Sequence, residues 1–214
     1  MVPSEPTTDC HTLPRLHVVG DSISIQYGPF LEPLVQDAVA YSRKTGGPGL
    51  ADDQAANGGD SSKVVEYLST LAQSDHPPIR YLMVNCGLHD IKRQIVTNSI
   101  QVPIDAYVQN LEQIVKLARQ MDSTLIWVRT TPVVDEIHNH AGMEFHRYAA
   151  DVEAYNTAAD EIMARHRVAS IDLFTFTQAL GPSAYCDHVH YIDRVRAQQA
   201  ATISAHVLRV IRKG

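Results

Sequence analysis

The sequence lacks any long apolar run. No stretch of apolar residues reaches 18 positions, and the first fifteen residues contain no apolar segment of the kind that a secretory signal needs. A basic excess is missing too, since 18 Lys and Arg face 24 Asp and Glu and give a net charge of −6. These absences predict a cytoplasmic protein with neither nucleic acid nor a membrane as its partner.

Cysteine is scarce, and the phosphate-binding motifs are absent. Cys10, Cys86 and Cys186 are too scattered for the CxxC spacing of zinc and redox sites, so we expect free thiols in a reducing compartment. Neither G-x-x-x-x-G-K-[ST] nor G-x-G-x-x-G occurs. We therefore do not expect the glycine-rich segment at 46–49 to bind a phosphate.

What the chain does contain is an ordinary globular composition and an alternating pattern. The chain has 214 residues, of which 44% are hydrophobic and 20% charged. This composition predicts a single domain over residues 1–214, in which Met1 to Pro14 form a loose lead-in. Short apolar strands are predicted at Leu16–Val19, Val39–Tyr41, Tyr81–Asn85, Thr124–Val128 and Ser170–Leu173. Amphipathic helices are predicted after a cap at Ser61 or Ser62, over Ile104–Ala118, over Glu144–His166 and from Asp193 onward. The alternation indicates an α/β fold with a parallel sheet covered on both faces.

In such a sheet the working residues follow the carboxyl ends of the strands. The first predicted strand runs into Gly20-Asp21-Ser22-Ile23-Ser24, which places Ser22 at a strand-to-helix turn. Asp and Ser are also common helix caps, so the tripeptide alone does not decide between a nucleophile and a cap. The G-x-S-x-G elbow of α/β-hydrolases fails here, because position 24 is Ser.

A base and a carboxylate stand close together before the last predicted helix. Asp187 and His190 lie three residues apart in one loop, a spacing that can supply both partners of a nucleophilic serine. Together with His188 they can alternatively be read as metal ligands. Two further segments follow predicted strands, Asn57-Gly58-Gly59-Asp60 and Asn85-Cys86-Gly87-Leu88-His89-Asp90, and their glycines and side chains could hold an oxyanion or merely form turns.

These four segments resemble the conserved blocks of the SGNH/GDSL hydrolase family, in the family's order. Gly20-Asp21-Ser22 matches the block of the nucleophile, Gly59 best fits the glycine of the second block with Gly58 one residue away, and Asp187 and His190 match the final D-x-x-H. The third block is usually G-x-N-D and reads Gly87-Leu88-His89-Asp90 here, so His replaces Asn.

The resemblance implies a flavodoxin-like three-layer α/β/α sandwich and ester hydrolysis without a cofactor or metal. It implies Ser22 as the nucleophile, His190 as the base and Asp187 as the residue that orients it. The oxyanion donors would be the Ser22 N–H, the Gly59 N–H and His89, with Asp90 helping to select the His89 tautomer.

The substrate class depends on weaker features. A polar, histidine-rich loop and 7% aromatic residues favour a small acyl group on a polar alcohol, such as an acetylated sugar. The alternatives are a lipase or thioesterase with a longer acyl pocket, or a non-catalytic carbohydrate-binding protein on the same scaffold.

Three other groups of residues are each compatible with a functional and a structural role. Cys86 and Cys186 each precede a histidine and could be thiol nucleophiles, but buried cysteine is commonly a core residue. His138, His140 and His146 could bind a metal, although a polar loop over the site is favoured. For Arg129 an ion pair with a surface carboxylate is slightly favoured over contact with substrate.

Overall fold

The structure is a computed structural model that describes residues 13–45, 55–140 and 142–213. Five parallel strands form one sheet in the order β2-β1-β3-β5-β7. They are β1 (Arg15–Val19), β2 (Ala40–Arg43), β3 (Tyr81–Val84), β5 (Thr124–Val128) and β7 (Ala169–Ile171). The order starts at the second strand, crosses the first and continues along the chain, as in flavodoxin-like folds. The predicted α/β fold with a parallel sheet is confirmed.

Helices cover the sheet in two layers. The helices are α1 (Ser22–Val35), α2 (Ser61–Leu71), α3 (Ile104–Gln120), α4 (Asp135–His138), α5 (Ala149–Arg165), α6 (Leu173–Gln178) and α7 (Asp193–Ile211), with a 3₁₀ turn at Pro182–Ala184. Helix α1 packs against α7, which also contacts α6, whereas α3 packs between α2 and α5. The fold is therefore the expected three-layer α/β/α sandwich.

The core lies on both faces of the sheet, because a parallel sheet covered by helices is buried on each side. All four residues of β3 are buried, and Trp127 of β5 is fully enclosed. None of the described helices is both long and apolar enough to cross a bilayer.

Several predicted bounds are wrong in detail. The cap of α2 is Asp60, whose side chain accepts the Lys63 N–H, so Ser61 is the first helical residue. The predicted strand Ser170–Leu173 ends at Ile171, because Asp172 caps α6 at that point.

The largest error concerns the start of the predicted helix Glu144–His166. Helix α5 begins only at Ala149, because β6 (Phe145–His146) pairs antiparallel with β4 (Arg93–Gln94) in a separate two-stranded sheet. The segment at 46–49, Cys10 and most of the lead-in lie outside the described residues.

Candidate active site

Ser22 begins α1 immediately after β1, at the carboxyl end of the sheet. Asp21 caps the helix, and its Oδ1 accepts the Ile23 N–H at 3.0 Å. The turn is so tight that a Cβ on Gly20 would stand 2.8 Å from Oγ of Ser24. That hydroxyl donates to the Asp21 carbonyl at 2.7 Å. A serine at position 24 thus ties the turn together where the α/β-hydrolase elbow would have a glycine.

The structure brings His190 to Ser22 across 168 positions of sequence. Nε2 of His190 lies 2.8 Å from Oγ of Ser22, and Nδ1 lies 2.7 Å from Oδ2 of Asp187. Since an ionised carboxylate only accepts hydrogen bonds, Nδ1 carries the ring proton and Nε2 can accept the serine proton. The three residues form one continuous hydrogen-bonded chain.

The carboxylate of Asp187 is held in its ionised form. Partial burial opposes ionisation, but the backbone N–H groups of His190 and Val189 and the His190 ring prevail and lower the pKa of Asp187 to about 2. Both N–H groups donate to Oδ1, at 2.7 and 2.8 Å. The second carboxylate oxygen therefore stays free to orient the imidazole.

The loop that carries these two residues is closed at its base and tied to the body of the protein. The Cys186 N–H donates to the His190 carbonyl at 2.9 Å, and Tyr185 and Tyr191 form an antiparallel bridge. Both tyrosine hydroxyls donate to the carbonyl of Pro132, at 2.9 and 3.2 Å. The position of the loop is thus determined by the segment that follows β5.

Gly59 lies on a turn that docks against the turn carrying Ser22. The Gly58 N–H donates to the Gly20 carbonyl at 2.8 Å, and Asn57 forms a parallel bridge with Gly20. Gly59 has a φ of +71°, a conformation that favours glycine. Its N–H, the expected oxyanion donor, donates to Oδ1 of Asn57 at 2.8 Å. An oxyanion would have to take this N–H from the amide.

His89 has a half-buried ring with no hydrogen-bond partner among the described residues. Burial, followed by the positive charges of Lys92 and Arg147, lowers its pKa to about 3. A neutral imidazole keeps one N–H and one acceptor nitrogen, so His89 can offer a donor to a ligand.

Asp90 does not select the His89 tautomer as expected. Its buried carboxylate accepts the N–H of Ser61 at 2.9 Å and also binds the Ser61 hydroxyl. Asp90 therefore anchors the start of α2 to the loop after β3.

Arg147 is a buried residue near the site that the sequence did not single out. Only 4% of its surface is exposed. Its Nε donates to the carbonyl of Leu88, directly before His89, and its Nη1 lies 2.9 Å from Nε2 of His138. No local pattern reveals this contact, because position 147 meets position 88 only in the folded chain.

The histidine-rich segment places one ring, that of His138, beside Arg147. His138 is fully buried, and its ring meets that of His188 edge-on with centroids 4.8 Å apart. His146 instead lies near the hydroxyl of Tyr148 at 3.4 Å. Within the described part of the chain, no three His, Cys, Asp or Glu residues are arranged to hold a metal ion.

The remaining candidates take structural positions. Arg129 pairs with Asp172 at 2.6 Å and with Asp160 at 3.2 Å, as the favoured interpretation predicted. Cys86 is fully buried, and burial raises the pKa of its thiol well above the usual value, which confirms it as a core residue. Cys186 is exposed.

A comparison with known families identifies the family of this chain. The model of the GDSL-like Lipase/Acylhydrolase family matches residues 18–195, most of the chain. The chain belongs to this family. It is accordingly an ester hydrolase, and the resemblance seen in its four sequence blocks is confirmed. No curated protein matches the sequence significantly.

Solved structures share the fold of this family member at low sequence identity. A GDSL-like lipase from Bacteroides thetaiotaomicron VPI-5482 has a TM-score of 0.64 at 12% identity, covering 93% of this chain and 88% of its own. An acetyl xylan esterase has a TM-score of 0.67 at 12% identity, covering 90% and 99%. The lipase/acylhydrolase from Enterococcus faecalis has a TM-score of 0.64 at 12% identity, covering 91% and 95%. Such likeness establishes the shared fold.

Proposed function

We propose that the protein is a serine esterase in which Ser22 attacks the ester carbonyl and His190 accepts its proton. The observation that carries this proposal is the chain of hydrogen bonds from Ser22 through His190 to Asp187, at 2.8 and 2.7 Å. A hydroxyl is a weak nucleophile unless an adjacent base removes its proton, and Asp187 keeps that base in the required tautomer. His190 then protonates the leaving alcohol, and water releases the acid in a second half-reaction.

The negative charge of the tetrahedral intermediate would be stabilised by three donors. As the first residue of α1, Ser22 has a backbone N–H without an intrahelical acceptor. The Gly59 N–H and the His89 ring lie on the turns after the neighbouring strands. The His89 ring can donate directly, whereas the Gly59 N–H can donate once the substrate has displaced the Asn57 amide.

A fluorophosphonate probe tests the nucleophile. It should add one covalent adduct to the protein, located by mass spectrometry on the peptide that contains Ser22. The control is Ser22→Ala, which should remain unlabelled while it stays folded. A probe adduct on Cys186, or none on any residue, would contradict the assignment.

We further propose a short acyl group on a polar alcohol, such as an acetylated sugar, as the substrate. The ring of His188 has its centroid 6.3 Å from that of His190, and the charge of Lys92 acts on His89. Such polar groups suit a polar ligand better than a long alkyl chain. One structural neighbour is an acetyl xylan esterase, which supports this choice of substrate class.

A series of 4-nitrophenyl esters from acetate to octanoate tests the acyl preference. Under this proposal the value of kcat/KM should fall steadily along the series, because a site that fits an acetyl group leaves the added methylenes in water. A pocket that buried them would gain about 0.8 kcal/mol per methylene. Activity that rises towards octanoate would favour a lipase or thioesterase.

A further inference from the structure

Positive charge is concentrated beside His89, in a protein whose net charge is −6. The chain has only five lysines, and two of them, Lys63 and Lys92, lie in this region with Arg147. Among the described residues, none of these three side chains forms an ion pair with a carboxylate within 4.0 Å. We call Lys63, Lys92 and Arg147 the cationic cluster.

Each member of the cluster is held near the expected oxyanion donors. The stem of Lys63 packs against Gly59, since a Cβ on that glycine would stand 2.8 Å from its Cδ. Lys92 follows His89 by three residues in a turn, and its backbone N–H donates to the His89 carbonyl at 3.4 Å. Arg147 binds the carbonyl of the residue before His89.

Two members of the cluster share one aromatic ring. The Lys92 ammonium lies 4.5 Å from the centroid of Phe145, and the Arg147 guanidinium carbon lies 4.8 Å from it. The ring partly compensates two like charges, since its faces attract cations. The pKa of Lys92 is lowered mainly by burial, and the like charges of Arg147 and Lys63 lower it further.

The nearest carboxylates are engaged elsewhere. Asp60 uses Oδ1 to cap α2 and Oδ2 to accept from Gln101 at 3.5 Å. Asp21, which acts on Arg147 through space, is fully buried in the turn of the nucleophile. Glu144 acts on Lys92 only through space. Among the described residues, none of these carboxylates forms an ion pair with the cluster, so the ammonium groups of Lys63 and Lys92 remain available to an anion.

We propose that the ester substrate carries a negatively charged group, such as a carboxylate, that binds at the cationic cluster of Lys63, Lys92 and Arg147. This inference rests on the proposed esterase function and narrows its substrate class. The charge would lie next to the scissile ester, because the cluster adjoins His89 and Gly59. Binding of the anion would also relieve the repulsion among the three cations.

Two matched pairs of esters test the inference and show which side of the ester carries the charge. For the acyl side, mono-4-nitrophenyl glutarate is compared with 4-nitrophenyl valerate. For the alcohol side, 4-acetoxybenzoate is compared with its methyl ester. In at least one pair the anionic ester should have a kcat/KM roughly tenfold higher at low salt, and 0.5 M NaCl should reduce that ratio.

Variants assign the preference to the cluster. Lys92→Met and Lys63→Met should each reduce the ratio of anionic to neutral kcat/KM, and the double variant should bring it close to one. Lys116→Met, an exposed lysine on α3, is the matched control and should leave the ratio unchanged. A ratio of about one in both pairs for the wild type, or a preference that survives the double variant, overturns the inference.

The two proposals fail in different ways. Turnover of the neutral esters reports on the esterase function, whereas only the ratio reports on the cluster. If no ester is hydrolysed, calorimetry with the stable amides 4-acetamidobenzoate and its methyl ester still decides the inference. Tighter binding of the anion, weakened by Lys92→Met, supports it, and equal binding of the two amides refutes it.

Discussion

The two sides of the Ser22 hydroxyl are built differently. On the side of the base, Asp187 and His190 lie within four residues, and both carboxylate oxygens and both ring nitrogens have a partner. On the side of the expected oxyanion donors, Gly59 donates to Asn57 and the His89 ring has no partner among the described residues. The Asp187–His190 pair is therefore set in the free protein, whereas under the proposed mechanism the oxyanion site is completed only when a substrate binds.

The difference follows from how each side is assembled. One short loop supplies the base and its carboxylate, so local backbone bonds are enough to orient them. The expected oxyanion donors come from the turns after three different strands, and their geometry depends on how those turns pack. Catalytic hydrogen bonds commonly tighten in the complex with substrate, which agrees with an oxyanion side that is not yet aligned.

The largest expected effect comes from removing the group that both sides share. Ser22→Ala should lower kcat by roughly 10⁴–10⁶-fold, because the nucleophile and base act as a unit and only substrate binding and the oxyanion donors remain. The folded structure should persist, since the Ser22 side chain is only half-buried. Single-turnover ester hydrolysis measures the effect, with circular dichroism as the control. Turnover near the wild-type rate would rule out the proposed mechanism.

A smaller effect is expected on the oxyanion side alone. His89→Ala should lower kcat by roughly 10²–10³-fold with little change in KM, as for other single oxyanion donors. His89→Asn should recover part of the loss, because its amide also supplies an N–H.

The protonation state of His89 can be followed separately by NMR. Its pKa of about 3 means that the ring stays neutral between pH 5 and pH 8, so its resonances should not shift over that range. An unchanged kcat in His89→Ala would leave Ser22 and Gly59 as the only oxyanion donors.

The smallest effect concerns the stability of the base side. In the folded protein the pKa of Asp187 is about 2, below the ordinary value of 3.8, so its ionised form stabilises the fold. This contribution is present above about pH 4 and is lost as the pH falls towards 2. It should amount to less than about 1 kcal/mol, because the side chain is 45% exposed.

Urea unfolding of the wild type and Asp187→Asn measures that contribution. The two proteins should differ in unfolding free energy at pH 7, and the difference should shrink at pH 2.5. Ser22→Ala, which retains the Asp187–His190 pair, should follow the pH dependence of the wild type. A difference that does not vary with pH would mean that the carboxylate charge does not stabilise this loop.

The sheet and the grouping of the four motif segments could be predicted because both have local signals. Apolar runs such as the one at β5 end in turn residues, and parallel strands bring those ends to one edge. Sequence spacing also predicted that Asp187 and His190 share a loop. The packing of Cys86 and the ion pairs of Arg129 followed from general tendencies of those residue types.

Features that depend on distant contacts could not be predicted. Strands of two residues, such as β4 and β6, are too short to show a period, so the sequence pattern predicts a helix through Phe145–His146. Arg147 meets Leu88 across 59 positions, and nothing near either residue announces the contact. The bond between Asn57 and Gly59 could not be predicted for another reason. A side-chain amide beside a glycine turn is compatible both with this bond and with a free Gly59 N–H.

The contact between α1 and α7 bears on when the enzyme can first act. Ser22 opens α1, and His190 lies three residues before α7, so the packing of these two helices brings the first and last quarters of the chain together. On a ribosome, Ser22 is synthesised 168 positions before His190. Under the proposed mechanism a nascent chain stays inert until α7 has left the exit tunnel and docked, so hydrolysis during translation reports the completion of the fold.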